Sequence, residues 1–138
     1  MKPEIVSLAK SRLAKAREAF RDGVLLLKGG SLTGAVNRLY YAAFYGARAL
    51  LATREVDSSR HSGIIRLFQR HFVNSGMVDE DVARGLPRAF ERRLDSDYED
   101  FAPITREEVE SLRNAVLLFI DECERVLNNM LEASRKGF

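Results

Sequence analysis

The stretch Ala35-Val36-Asn37-Arg38-Leu39-Tyr40-Tyr41-Ala42-Ala43-Phe44-Tyr45-Gly46-Ala47-Arg48-Ala49-Leu50-Leu51 decides the fold. Together with Leu32, the residues Val36, Leu39, Ala43, Ala47 and Leu50 recur at the helical period, not at the period of two that marks a strand. Gly34, Ala35, Ala42, Gly46 and Ala49 are small, so neighbouring helices can approach this one closely. A second stripe, Asn37, Tyr41, Tyr45 and Arg48, is polar and aromatic, with Arg38 and Tyr40 flanking it. Ser31 is placed to cap the helix, and the pattern carries it to about Thr53.

On the N-terminal side, Gly29-Gly30 ends a helix that starts near Pro3 and reaches Lys28. Its apolar stripe is Ile5, Leu8, Leu13, Ala16, Phe20, Val24 and Leu27. On the C-terminal side a polar loop, Glu55 to Ser59, leads into a shorter helix from about Arg60 to Asn74, with Ile64, Leu67, Phe68 and Phe72 inward. Asp79 has the form of an N-cap for a fourth helix that carries Val82, Leu86, Phe90 and Leu94 to about Asp97. Pro87 inside it predicts a kink or a restart. Pro103-Ile104 marks a loop, and Thr105 with Glu108 forms a capping box. The last helix then runs from about Arg106 to Ser134 on the stripe Val109, Leu112, Val116, Phe119, Cys123, Val126 and Met130. No segment alternates at period two, and no repeat or low-complexity stretch occurs. The pattern predicts one all-α domain over residues 1–138, an antiparallel up-and-down bundle of four to five helices.

Composition narrows the function classes. The 138 residues are 46% hydrophobic and 30% charged, too apolar for a disordered chain. The longest apolar run, Ala115 to Ile120, is far short of the roughly 20 residues that span a bilayer. No charged-then-apolar leader opens the chain, so the expectation is a soluble cytoplasmic domain without membrane contact. One cysteine and two histidines exclude a Cys/His zinc cluster and an intrachain disulfide. Cys123 sits on an apolar stripe and reads as core. Charge is unevenly spread: residues 1–72 carry 13 Lys/Arg and 5 Asp/Glu, net +8, while residues 73–138 carry 9 and 15, net −6. Two readings follow, a basic face for nucleic acid or an acidic partner, and mutual attraction of the halves within the fold or across a dimer.

The chemistry concentrates on two helices. At 100° per residue, Arg93 and Asp97 fall about 20° either side of the direction of Leu86, which puts a charged pair on an apolar face. One reading is an ion pair that fixes register, the other a polar site opening into a cleft or interface. Arg38, Tyr41, Tyr45 and Arg48 mix guanidinium and aromatic groups, a chemistry that suits phosphates and base stacking and equally a protein interface. The acidic cluster Asp95, Asp97, Glu99 and Asp100 lacks the glycine and spacing of a calcium loop and reads as a solvated helix end, so no metal site is expected. His61, at a helix start, reads as a cap or surface residue, and His71 as semi-buried packing. No Walker loop, dinucleotide fingerprint or Gly-x-Ser-x-Gly elbow occurs, and no cofactor is expected.

The stretch 35–51, the segments His61-Ser62-Gly63-Ile64 and Phe72-Val73-Asn74-Ser75-Gly76, and Arg93-Leu94-Asp95-Ser96-Asp97-Tyr98-Glu99-Asp100-Phe101 together resemble the small stand-alone prokaryotic HEPN domains. The resemblance implies a helical bundle that pairs as a homodimer and partners a minimal nucleotidyltransferase, often as a toxin–antitoxin pair. It also implies, for many members, a metal-independent RNase built on an Arg followed four to six residues later by a His. Arg93 stands at the place of that Arg. No His follows it, and Asp97-Tyr98 stands where the His would be. A carboxylate is already ionised near neutral pH and is a poor proton donor. Arg66 and His71 satisfy the spacing literally, but in another helix, where they point about 140° apart. The expectation is therefore a non-enzymatic or weakly active HEPN module that binds a nucleotidyltransferase partner, a nucleotide or RNA. Arg93, Asp97 and Tyr98, with Asn37, Arg38, Tyr41, Tyr45 and Arg48, are its candidate site residues. The alternatives are an RNase toxin using Arg93 with Tyr98 or Asp97, and a purely structural helical dimer.

Overall fold

The structure, a computed structural model, describes residues 1–97 and 103–137. Its helices are α1 (Pro3–Lys28), α2 (Leu32–Ala52), α3 (His61–Phe68), the single turn α4 (Glu80–Ala83), α5 (Gly85–Asp97) and α6 (Arg106–Arg135). No strand occurs among the described residues. A helical bundle is thus the fold that the apolar periodicity predicts.

The bundle is organised around α2, which touches α1, α3, α5 and α6. Val36, Leu39, Tyr40, Ala43, Ala47, Leu50 and Leu51 are all fully buried. Small residues on α2 let its neighbours come near: at Gly46 an added Cβ would lie in ordinary contact, 3.7 Å from Phe119 and Cys123 of α6. On α1, Gly23 is tighter, with Leu39 3.1 Å from the place of a Cβ. Phe68, Phe72 and Phe119 close the far side of the core, with ring centroids 5.5 Å apart for Phe68–Phe72 and 5.2 Å for Phe68–Phe119. Each such buried aromatic ring contributes roughly 1.5–3 kcal/mol.

Several local details depart from the sequence reading. Ser31 precedes α2 but makes no side-chain cap bond. The chain after α3 widens into a π-helical turn, Gln69–Val73, instead of continuing as α-helix to Asn74. The fourth helix neither kinks nor breaks at Pro87. It breaks at Arg84, and Pro87 falls in the first turn of α5, where its missing N–H costs nothing. Leu8 stands exposed rather than on the buried face of α1, whose inward residues are Ala9, Leu13, Ala16 and Ala19. Asp79 does cap α4, accepting from the backbone N–H of Asp81 and Val82, and Thr105 caps α6 through the N–H of Glu108.

The charge asymmetry is little neutralised by folding. Among the described residues, only Arg17, which binds Asp121 at 2.7 Å and Glu124 at 2.9 Å, links a basic residue of the first half to carboxylates of the second. The other ion pairs stay within their own half, and most are short-range pairs on exposed surface that contribute little. No helix of the described residues is long and apolar enough to cross a membrane.

Close packing at the start of α5 yields a sharp contrast between two glycines. A Cβ on Gly85 would meet the Ala115 carbonyl oxygen at 2.9 Å and the Cβ of Phe119 at 3.1 Å. A backbone oxygen cannot swing aside, so Gly85→Ala is expected to cost roughly 1–3 kcal/mol in urea unfolding. Gly46→Ala adds only ordinary contacts in mid-helix and is expected to be neutral, or stabilising by up to about 1 kcal/mol. Equal unfolding midpoints for the two variants would remove the Ala115 contact as the reason for glycine at position 85.

Candidate functional site

Along α2, the stripe that the other helices leave half-covered is Asn37, Arg38, Tyr41, Phe44, Tyr45 and Arg48. Helices α5 and α3 border it, and each contributes one cationic or titratable group. From α5, the Arg93 guanidinium lies over two rings of α2, 5.2 Å from the centroid of Tyr40 and 5.5 Å from that of Tyr41. Arg38 lies over the same Tyr41 ring at 5.1 Å. Cation–π contact of this kind is worth roughly 0.5–2 kcal/mol, rising with desolvation. Two guanidiniums thus share one tyrosine.

Neither guanidinium has a carboxylate partner among the described residues. Arg93 Nε is buried and makes no hydrogen bond. Arg38 Nε donates to the Asn37 side-chain oxygen at 3.4 Å. The ion pair expected between Arg93 and Asp97 does not form. Asp97 ends α5 with its side chain exposed, while Arg93, half-buried, turns onto the tyrosines. Aromatic faces on α2 draw the guanidinium inward, and the helix-surface carboxylate keeps its water. Asp95 is exposed as well, and no cluster of metal-ligating side chains occurs among the described residues. Tyr98, Glu99, Asp100 and Phe101 lie outside the described residues.

From α3 comes His61, at the helix start, which makes no side-chain cap bond and is half-buried. Its ring stacks on Phe44, with centroids 4.8 Å apart and planes 17° apart, and approaches Tyr40 at 5.4 Å and Phe90 at 6.3 Å. The Tyr40 hydroxyl is hydrogen-bonded to His61 Nδ1. Tyr40 itself is fully buried, and that burial pushes its hydroxyl well above the ordinary range of a phenol. The signal that finds His61 in the sequence is its spacing from Ile64 and Phe68, which puts it on the inward face of α3. His71, by contrast, sits half-buried on the π-helical turn, away from this cluster.

Arg48, which lies over the Phe44 ring at 5.6 Å, is held by an anchor. Its guanidinium forks onto Asp57 at 2.8 and 3.3 Å. Arg12 of α1 donates to the Arg48 carbonyl at 3.2 Å and reaches Asp57 at 3.5 Å. Asp57 also accepts from the backbone N–H of Ser58 at 2.9 Å. Its donors hold its carboxyl below the usual range in spite of partial burial. One carboxylate therefore pins the loop between α2 and α3 to both α1 and α2, and this fixes where α3 begins. Tyr45 stands at the edge of the site, 6.1 Å from Tyr41, with Lys15 of α1 at 6.0 Å from its centroid.

Burial, and second the charge of Arg93, lower the pKa of His61 from its ordinary 6.5. Facing it are Tyr40, Tyr41 and Phe44 from α2 and Phe90 and Arg93 from α5. In an NMR titration the His61 ring should change protonation below 6.5, and Arg93→Gln should raise its midpoint only partway, because burial remains. The unfolded chain takes up this proton first, so the His61 contribution to stability is complete above 6.5 and is lost as pH falls through the folded value. His61→Gln should flatten that part of the melting-temperature profile. A midpoint at or above 6.5 would contradict the burial described here.

Comparison with known proteins places the geometry in context. The HEPN domain profile matches residues 9–126. A UPF0332 protein of Thermotoga maritima is 36% identical over 119 residues, covering 86% of this chain and 90% of its own. A candidate toxin of Methanocaldococcus jannaschii is 31% identical over 127 residues, covering 92% and 89%. A UPF0332 protein of Pyrococcus horikoshii is 42% identical over a shorter span of 69 residues, half of either chain.

Proposed function

The chain belongs to the HEPN domain family, and from that premise we propose that it is a toxin-like HEPN module whose Arg93–Arg38–Tyr41 site binds a phosphate of RNA or of a nucleotide. In this reading it works as a homodimer, in the company of a minimal nucleotidyltransferase. The observation that carries the proposal is the state of Arg93: a half-buried guanidinium, its Nε without a partner, beside a second guanidinium on the same tyrosine and with no carboxylate paired to either among the described residues. Two guanidiniums over one ring, with no counter-ion among the described residues, offer an arriving phosphate charge-assisted hydrogen bonds. Tyr41 and Tyr45 offer rings on which a base stacks. Arg48, held by Asp57, serves this site by anchoring the loop rather than by touching the ligand.

The nuclease alternative, with Asp97 as the helper of Arg93, finds no support in the position of Asp97, which is exposed and unpaired to Arg93. The toxin description of the archaeal relative supports keeping cleavage in the test.

Fluorescence anisotropy with a labelled oligouridylate is expected to show binding that weakens about tenfold or more in Arg93→Ala, the loss of a charge-assisted contact. Arg93→Lys should recover little, because an ammonium cannot fork onto a phosphate and stacks poorly on tyrosine. Unchanged affinity in folded Arg93→Ala would overturn the site. Incubating the same proteins with total RNA in EDTA separates binding from cleavage: the proposal expects intact RNA, and cleavage by wild type alone would replace it with the nuclease reading.

A further inference from the structure

The titratable group that the binding reading leaves unused is His61. Its two ring nitrogens stand in different surroundings. Nδ1 is bonded to the Tyr40 hydroxyl. Nε2 has no partner among the described residues, and it is not among the fully buried unpaired atoms of this half-buried side chain. The ring is close to the same two tyrosines as Arg93: its centroid is 5.4 Å from that of Tyr40 and 6.1 Å from that of Tyr41.

The tautomer follows from the hydrogen-bond network. Tyr40 is fully buried, and His61 Nδ1 is the partner of its hydroxyl. A buried hydroxyl proton without an acceptor costs about 1–3 kcal/mol. The Tyr40 O–H therefore donates to Nδ1. In a neutral imidazole whose Nδ1 accepts, the proton sits on Nε2. The alternative, with Nδ1–H donating to the tyrosine oxygen, would strand the tyrosine proton in the core. Protonating both nitrogens would strand it too, and would add a cation beside Arg93.

We propose that His61 is a third ligand-binding group of the Arg93 site, a neutral imidazole that presents Nε2–H to a phosphate oxygen because the buried Tyr40 hydroxyl occupies Nδ1. The inference rests on the phosphate-binding reading and deepens it. A neutral donor adds a directed hydrogen bond without adding a further charge beside Arg93 and Arg38. It also assigns His61 a role other than proton acceptance, since the nitrogen that faces the ligand already carries its proton. Tyr40 is then a positioning residue. It touches no ligand and acts by fixing the tautomer.

The tautomer makes the test specific. A glutamine amide at position 61 can offer an N–H near the place of Nε2, whereas asparagine is too short and alanine offers nothing. With labelled oligouridylate as the probe, His61→Ala and His61→Asn should bind roughly tenfold more weakly, the worth of one hydrogen bond to a charged oxygen. His61→Gln should stay near wild type. Nitrogen NMR of the wild-type ring should show a protonated Nε2 and an unprotonated Nδ1, with the Nε2 signal shifting on addition of oligouridylate. Tyr40→Phe should release the ring into a mixture of tautomers. An unprotonated Nε2 in the wild type, or equal losses in the Gln and Ala variants, would overturn the inference. Loss of binding in Arg93→Ala with none in His61→Ala would overturn it while leaving the phosphate site intact. Unchanged binding in Arg93→Ala would overturn the site itself. The ring measurement uses the unaltered protein, so it decides the tautomer even if a variant fails to fold.

Discussion

Covering α2 is the constraint from which the rest of this structure follows. A helix that touches α1, α3, α5 and α6 has little surface left, and small residues along it let its neighbours come near. On α1, Gly23 makes room for Leu39, which would lie 3.1 Å from an added Cβ. Where the residues of α2 become large and polar, at Arg38, Tyr41 and Tyr45, the cover stays incomplete. The candidate site is that half-covered stripe, with α5 and α3 as its margins. Its position is thus set by the same packing that stabilises the bundle.

The site has an electrostatic character that single residues do not reveal. Arg93 stands over tyrosine faces, where it is partly desolvated, and its Nε lacks a hydrogen bond. The cost of that arrangement is offset in part by the ring quadrupoles, but a cation–π contact does not satisfy an N–H. A second guanidinium, Arg38, lies over the same Tyr41 ring. Among the described residues, Arg17 makes the one ion-pair link between the positive first half of the chain and the acidic second half.

The sequence made the helices legible because their apolar stripes are long and their ends are marked: Pro3, Gly29-Gly30, Asp79 and Thr105 stand where the chain enters or leaves a helix. Interruptions were less legible. The break at Arg84 precedes the proline that suggests it, because a proline is best accommodated in the first turn of a new helix. The π-helical turn at Gln69–Val73 leaves no local signature. In the site, Arg38, Tyr41 and Arg93 are all found by pattern, but their partners are not. Helical geometry pairs Arg93 with Asp97 on one face, whereas the structure turns Arg93 across to α2, since a wheel shows neighbours along a helix and not those between helices. His61 escaped for a related reason. At a helix start it looks like a cap, and only the packing of α3 against Phe44 and Phe90 turns it inward.

Asp57 gives this architecture a consequence beyond local anchoring. It gathers Arg12 from one helix and Arg48 from another, and the backbone it holds enters α3 at His61 only a few residues later. The imidazole's position is thus a joint property of α1, α2 and the loop that leads into α3. A substitution at Arg12, which lies over no ring of the site, is transmitted to it through a carboxylate and a short length of loop. Arg12, whose side chain is only 13% exposed, thus belongs to the same anchor as the imidazole, and a change at that position of α1 is felt where α3 begins.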